Sequence, residues 1–358
     1  MDLPKETQCA VLCGIKEIKM EQRPVTAPGP NEVLLAVHSV GICGSDLKYW
    51  SHGYCGRFKL TDPMVIGHEA SGTVAALGPG VKHLEVGDRV AIEPGVPCRM
   101  CSLCRVGKYN LCKDVQFCAT PPVDGNLSQY YLHAADFCFK LPSNVSYEEG
   151  ALVEPLAVAL YTCSRAEVSL GSKVLICGSG PVGILTMLTA KSMGASQVII
   201  TDIDDHRLSV AKQNGADYTL NVNGFSSEEA AKKVVDLLGC EPHCGMECCG
   251  SDIALISCIL ACRPGGNVLL VGRGSLEPKL PVSLISTKEL TLKGIFRYAN
   301  MYPKAISMLS SGQMPIKDLV THRFHLDQVD DAFTTAISRD SCAMKVMIHT
   351  GVSVNLQR

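Results

Sequence analysis

The chain of 358 residues is 46% hydrophobic and 19% charged, apolar enough for two buried cores and too apolar for wholesale disorder. With 33 Lys and Arg against 35 Asp and Glu the formal charge is −2, and the scattered basic side chains make no face for nucleic acid. Nineteen cysteines in so long a chain argue against a secreted disulfide scaffold. Reduced thiols are therefore expected, with solitary Cys163, Cys177 and Cys258 packed as small hydrophobes.

The chain opens on "MDLPKETQCAVLCG", which is polar, interrupted by Pro4 and unlike a secretory leader. No apolar run reaches membrane-spanning length. We expect a cytoplasmic protein with neither membrane nor nucleic acid as a partner. Short period-two runs follow, "NEVLLAVHSVGICG", "MVIGHEASGTVAALG" and "GDRVAIEPG", separated by Gly and Pro. They predict a compact, strand-rich domain. From Ser172 the texture changes. "SKVLICGSG" reads as a buried strand, "PVGILTMLTAKSMGA" as a helix, "QVIITD" as a strand and "DDHRLSVAKQNGA" as a helix. "YTLNV", "HCGMECCG", "GGNVLLVG" and "LTLKGIF" supply four more strands. Strands alternating with helices predict a doubly wound parallel sheet, so the fold class is α/β. The closing "AMKVMIHT" is an isolated strand that must pair elsewhere.

Three motifs carry chemistry. In "CGSGPVG" the glycines Gly178, Gly180 and Gly183 lie between strand and helix. Gly178 permits a tight turn, Gly180 a close approach of backbone to pyrophosphate, and Gly183 close packing of helix on strand. Asp202 ends the next strand about 20 residues on, where an acid binds ribose hydroxyls and repels a 2′-phosphate. NAD is favoured over NADP, although Arg207 brings a positive charge nearby. The alternative for Asp202 is a helix cap.

"CRMCSLCRVGKYNLC" sets Cys98, Cys101, Cys104 and Cys112 at C-x2-C-x2-C-x7-C spacing. Four thiolates so close surround a tetrahedral zinc at ~2.3 Å as a closed, structural site; an iron–sulfur cluster is the rival. "GICGSD" and "GHEASG" offer Cys43, His68 and Glu69, a three-ligand set that leaves one zinc position open for chemistry. The remaining nine histidines are read as packed side chains.

These motifs, with "GICGSDLKYW", "FCATPPVDGNL", "EEGALVEPLAV" and "GIFRYANMYP", resemble the zinc-dependent medium-chain alcohol dehydrogenases over nearly the whole chain. The likeness is narrower to their polyol-oxidising branch. It implies a GroES-like, β-rich catalytic domain (1–156 and 297–358), a Rossmann NAD-binding domain (157–296) and a homotetramer. It also implies reversible oxidation of sorbitol, L-iditol or xylitol to the ketose. Cys43, His68 and Glu69 match catalytic zinc ligands. Glu154 stands where other members have a second thiolate, and either glutamate completes the zinc shell, directly or through water. Ser45 matches the proton-relaying hydroxyl. Tyr49, Phe117, Thr120, Glu154, Arg297 and Tyr298 match polyol-contacting positions. Val182, Asp202, Arg207, Val271, Gly272, Arg273, Ile295, Phe296 and Arg297 match NAD-contacting ones, Arg273 standing where a smaller residue is usual. Alternatives are a xylitol- or threonine-type dehydrogenase, or an NAD-binding relative without turnover; the intact Cys43, Ser45, His68, Glu69 and Glu154 argue against the latter.

Overall fold

The computed structural model describes residues 4–352; the outermost parts of the expected catalytic domain, 1–3 and 353–358, lie outside the described residues. Two compact units form, one from residues 1–154 with 302–358 and one from 155–301. The chain leaves the first unit within the helix Tyr147–Arg165, at Pro155, and returns to it at Tyr302.

The first unit is strand-rich because short apolar runs are cut by Gly and Pro, although the expected period of two gives way in Glu32–Gly41 and Glu69–Leu77 to nearly continuous burial. Its main sheet runs Cys138–Lys140, Arg89–Ile92, Glu69–Leu77, Glu32–Gly41, Lys345–His349 and Val320–His325, and Tyr130–Ala134 also pairs with Glu32–Gly41. The late strand Lys345–His349 lies antiparallel to Glu32–Gly41 and parallel to Val320–His325, the distant pairing that its isolation in the sequence demanded. Leu35, Val37, Val40, Val74, Val90, Ile92, Trp50 and Phe333 fill one core. The antiparallel register places Gly41 opposite Glu69, which brings Cys43 and His68 to one end of neighbouring strands.

In the second unit all six expected strands form one parallel sheet. Its order is Tyr218–Asn221, Gln197–Asp202, Lys173–Cys177, Cys244–Glu247, Asn267–Leu270, Thr291–Gly294. The order reverses beside the first strand, where open α/β sheets bind dinucleotides. Leu175, Cys177, Ile199, Cys258, Ile259 and Val268 build its core, and Cys163, Cys177 and Cys258 are all buried. Burial raises the Cys163 thiol, and the Cys177 sulfur 3.4 Å away, together with burial, raises that of Cys258. Among the described residues no helix is long and apolar enough to cross a membrane.

Gly178 takes a left-handed φ of 103°, and the helix Pro181–Ser192 starts directly after Gly180. A Cβ on Gly183 would collide with the Gly178 carbonyl oxygen, whereas at Gly180 the nearest group is the Arg207 guanidinium at 3.7 Å. The two glycines therefore answer to different constraints, one internal to the fold and one not. Gly183→Ala should cost about 1–3 kcal/mol by overpacking, read as a lowered melting temperature. An unchanged melting temperature would contradict the close seating of helix on strand.

Candidate active site

Cys43 is the N-cap of the helix Gly44–His52. His68 directly precedes the strand Glu69–Leu77. The donor atoms of Cys43, His68 and Glu69 all lie within 4.8 Å of one another. Asp46, three residues after Cys43, ties the set together. Its Oδ2 accepts from the Cys43 backbone N–H at 3.0 Å, and its Oδ1 lies 3.2 Å from His68 Nδ1. One carboxylate thus holds the Cys43 backbone and stands within ion-pair distance of the His68 ring, where a second partner of a metal ligand would sit. Ser45 Oγ sits 3.5 Å from His68 Nε2. Burial opposes a proton on His68, yet the Asp46 carboxylate and the Cys43 sulfur outweigh it and raise the imidazole well above its usual value. A metal cation among these groups would take that proton's place. The donor set fits zinc.

Of the expected substrate contacts, Glu154 and Tyr49 are buried, and Phe117 packs its ring 5.9 Å from that of His68. Thr120 is half-buried and donates its N–H to the Phe117 carbonyl at 3.1 Å. Glu69 has a partner that the sequence does not reveal. Both its oxygens accept from Lys345 Nζ, at 2.9 and 2.7 Å, across 276 positions of chain. No local signal could have exposed that pair, whereas Asp46 stood in view inside "GICGSD".

Cys98, Cys101, Cys104 and Cys112 form the second group whose donors converge within 4.8 Å. The Cys101 and Cys104 sulfurs are 3.4 Å apart and those of Cys98 and Cys104 3.9 Å, yet every cysteine is a free thiol. Backbone N–H groups of Met100 and Cys101 pull the Cys98 thiol down to about 7. Desolvation and the adjacent sulfurs push Cys104 up to about 12. Four sulfurs gathered this closely suit a cation among them, the requirement of a closed tetrathiolate site.

In the second unit Asp202 is held from two sides. Ser179 donates its N–H and hydroxyl to Oδ2 at 2.7 and 3.1 Å, and Ile203 and Asp204 donate N–H groups to Oδ1 at 2.7 and 3.1 Å. The cap of the following helix is Asp204, which accepts from Arg207 N at 3.1 Å, so Asp202 is not serving as that cap. Val182 lies in the first turn of Pro181–Ser192. Val271 and Gly272 donate to the Glu247 carbonyl at 2.9 and 2.8 Å, and Ile295 donates to Leu270 at 3.0 Å. The Arg273 and Arg297 guanidiniums lie 5.7 and 4.7 Å from the Phe296 ring. Arg297 has a left-handed φ of 56°, and Tyr298 is buried. Glu247, which the sequence did not single out, accepts N–H bonds from Cys249, at 2.7 Å, and from Gly250, pinning the turn beyond its strand.

The chain is similar to known proteins in both of its parts. Residues 29–143 match the alcohol dehydrogenase GroES-like domain, and residues 181–311 match the zinc-binding dehydrogenase domain. The chain is 51% identical to sorbitol dehydrogenase of Bos taurus over 96% of each chain. Its fold superposes on an Escherichia coli oxidoreductase of unknown specificity with a TM-score of 0.90 and 34% identity, covering 96% of this chain and 99% of that one. An Escherichia coli alcohol dehydrogenase crystallised with NADH gives a TM-score of 0.89 at 27% identity, over 97% of this chain and 100% of the other. With both domains matched and half of its residues shared with a near full-length relative, the chain belongs to the zinc-dependent medium-chain alcohol dehydrogenase family.

Proposed function

We propose that this chain reversibly oxidises a secondary hydroxyl of a polyol, sorbitol, L-iditol or xylitol, to the ketose, with NAD as the hydride acceptor. The observation that carries the reading is the convergence of one thiol, one imidazole and one carboxylate, Cys43, His68 and Glu69, in a chain half identical to sorbitol dehydrogenases. A single thiolate donates less electron density than two and suits a strong Lewis acid. We assign residues 1–156 and 297–358 to catalysis and 157–296 to NAD binding, in a cytoplasmic homotetramer.

Cys43 and His68 would hold the catalytic zinc, with Glu69 or Glu154 completing its shell, and Cys98, Cys101, Cys104 and Cys112 a structural one. Zinc, when bound, supplies a Lewis acid that lowers the pKa of an alcohol hydroxyl; NAD supplies the hydride acceptor. Ser45 serves as the exit for the alcohol proton, because a hydroxyl accepts one hydrogen bond while donating another. Its Oγ stands within 3.5 Å of His68. By the resemblance, Tyr49, Phe117, Thr120, Glu154, Arg297 and Tyr298 contact the polyol. A site that hydrogen-bonds several hydroxyls rejects analogues that lack them. Gly178, Gly180, Val182, Gly183, Arg207, Val271, Gly272, Arg273, Ile295, Phe296 and Arg297 contact the cofactor, and Asp202 accepts from its ribose hydroxyls.

The direct test is NADH absorbance with sorbitol, run with NAD and NADP in parallel. Wild type should turn over with NAD and lose activity to a chelator, and Cys43→Ala should be inactive while still binding NADH. A Cys43→Ala enzyme with normal turnover would overturn the metal assignment. Gly180→Ala should melt like wild type, since the fold leaves room there, yet bind NADH at least about tenfold more weakly; undiminished NADH affinity would argue against pyrophosphate at this loop. Cys101→Ser should lose one zinc per chain and lower the melting temperature, because a closed metal shell contributes folding energy. A variant that keeps its full zinc content and stability would contradict the lobe assignment.

A further inference from the structure

We propose that Lys345 is a positioning residue that restrains Glu69 from donating fully to the catalytic metal and so keeps that metal electron-poor. This inference rests on the zinc reading at Cys43 and His68. Lys345 is 3% exposed and Glu69 1%, so neither charge is answered by water. The ammonium has three hydrogens, and all three are committed: to Glu69 Oε1 at 2.9 Å, to Glu69 Oε2 at 2.7 Å and to the Ile42 carbonyl at 3.1 Å. The carboxylate is gripped at both oxygens, not one.

The arrangement draws on three strands. Gly41, opposite Glu69 in the register, leaves the space into which the carboxylate folds, and a Cβ there would strike Glu69 Oε2. Lys345 begins the last strand and reaches back past Ile42, whose N–H in turn donates to the Val346 carbonyl at 3.0 Å. A carboxylate oxygen that accepts a charge-assisted bond is a weaker donor to a metal. The ammonium also adds one positive charge beside the thiolate of Cys43, opposing the electron density that two anionic ligands would give. Lys345 thus competes with the metal for Glu69.

Competition has a signature that a scaffold role lacks. Chelator competition on the holoenzyme resolves catalytic zinc as the phase that Cys43→Ala is missing. Lys345→Met, which keeps length and removes a positive charge beside the cation, should hold that zinc roughly tenfold more tightly, melt lower than wild type once zinc is stripped, and turn over more slowly. Lys345→Arg should return zinc affinity and rate towards wild type. Lys345→Gln reads the same affinity should the methionine variant fail to fold. A residue that only braces the strands would, on removal, loosen zinc. Neutral variants that bind catalytic zinc no more tightly than wild type therefore overturn the proposal, as does Lys345→Arg behaving like Lys345→Met. If Cys43→Ala lacks no phase, the zinc reading itself falls, and this inference with it.

Discussion

The antiparallel pairing that sets Gly41 against Glu69 is the constraint from which the candidate chemistry follows. It carries Cys43, two residues past one strand, next to His68, one residue before the other. Neither residue is informative alone. The strand Glu32–Gly41 is buried on both of its faces, so its pairing with Glu69–Leu77 is held by packing on each side of the sheet and not by one apolar face alone. Hydrophobic packing of the sheet therefore sets the spacing of the metal donors, and Asp46 stands beside both.

The two cysteine-bearing centres differ in a way that separates structure from reaction. The lobe at residues 98–112 gathers four thiols, a set that would saturate a tetrahedral ion and leave no place for substrate. The other centre mixes sulfur, nitrogen and oxygen, and its charges are balanced from outside by Asp46 and Lys345. Burying such ions is costly unless each is paired and hydrogen-bonded. Here the pairing is complete enough that Glu69 and Lys345 lie almost fully out of water. The same burial makes the local field strong, so one fixed ammonium has leverage on whatever binds beside it.

Much of this was legible in the sequence because its signals were local. The six strands of the second unit announced themselves as short apolar runs bounded by glycine. The turn at Gly178, Gly180 and Gly183 followed from their place between strand and helix. The four lobe cysteines needed only their spacing. Cys43 and His68 are separated by a helix and three short strands, and their residue types, strengthened by the resemblance, joined them. What stayed hidden depends on long-range pairing. Lys345 meets Glu69 only because the last strand of the chain returns to the first unit's sheet. Glu247 looked like one acid in an apolar strand until the turn at Cys249 and Gly250 closed over it. Composition and period are silent about such contacts, since they reflect which strand neighbours which and not what each strand contains.

The central claim, a zinc held by one sulfur at Cys43 and by the imidazole of His68, is tested most directly by anomalous diffraction at the zinc edge from crystals of the holoprotein. The account predicts two peaks per chain. One should lie among the four lobe sulfurs, and one should lie ~2.3 Å from Cys43 Sγ and ~2.1 Å from a ring nitrogen of His68. A map with density at the lobe and none beside Cys43 and His68, in crystals of enzyme that oxidises sorbitol, would contradict it.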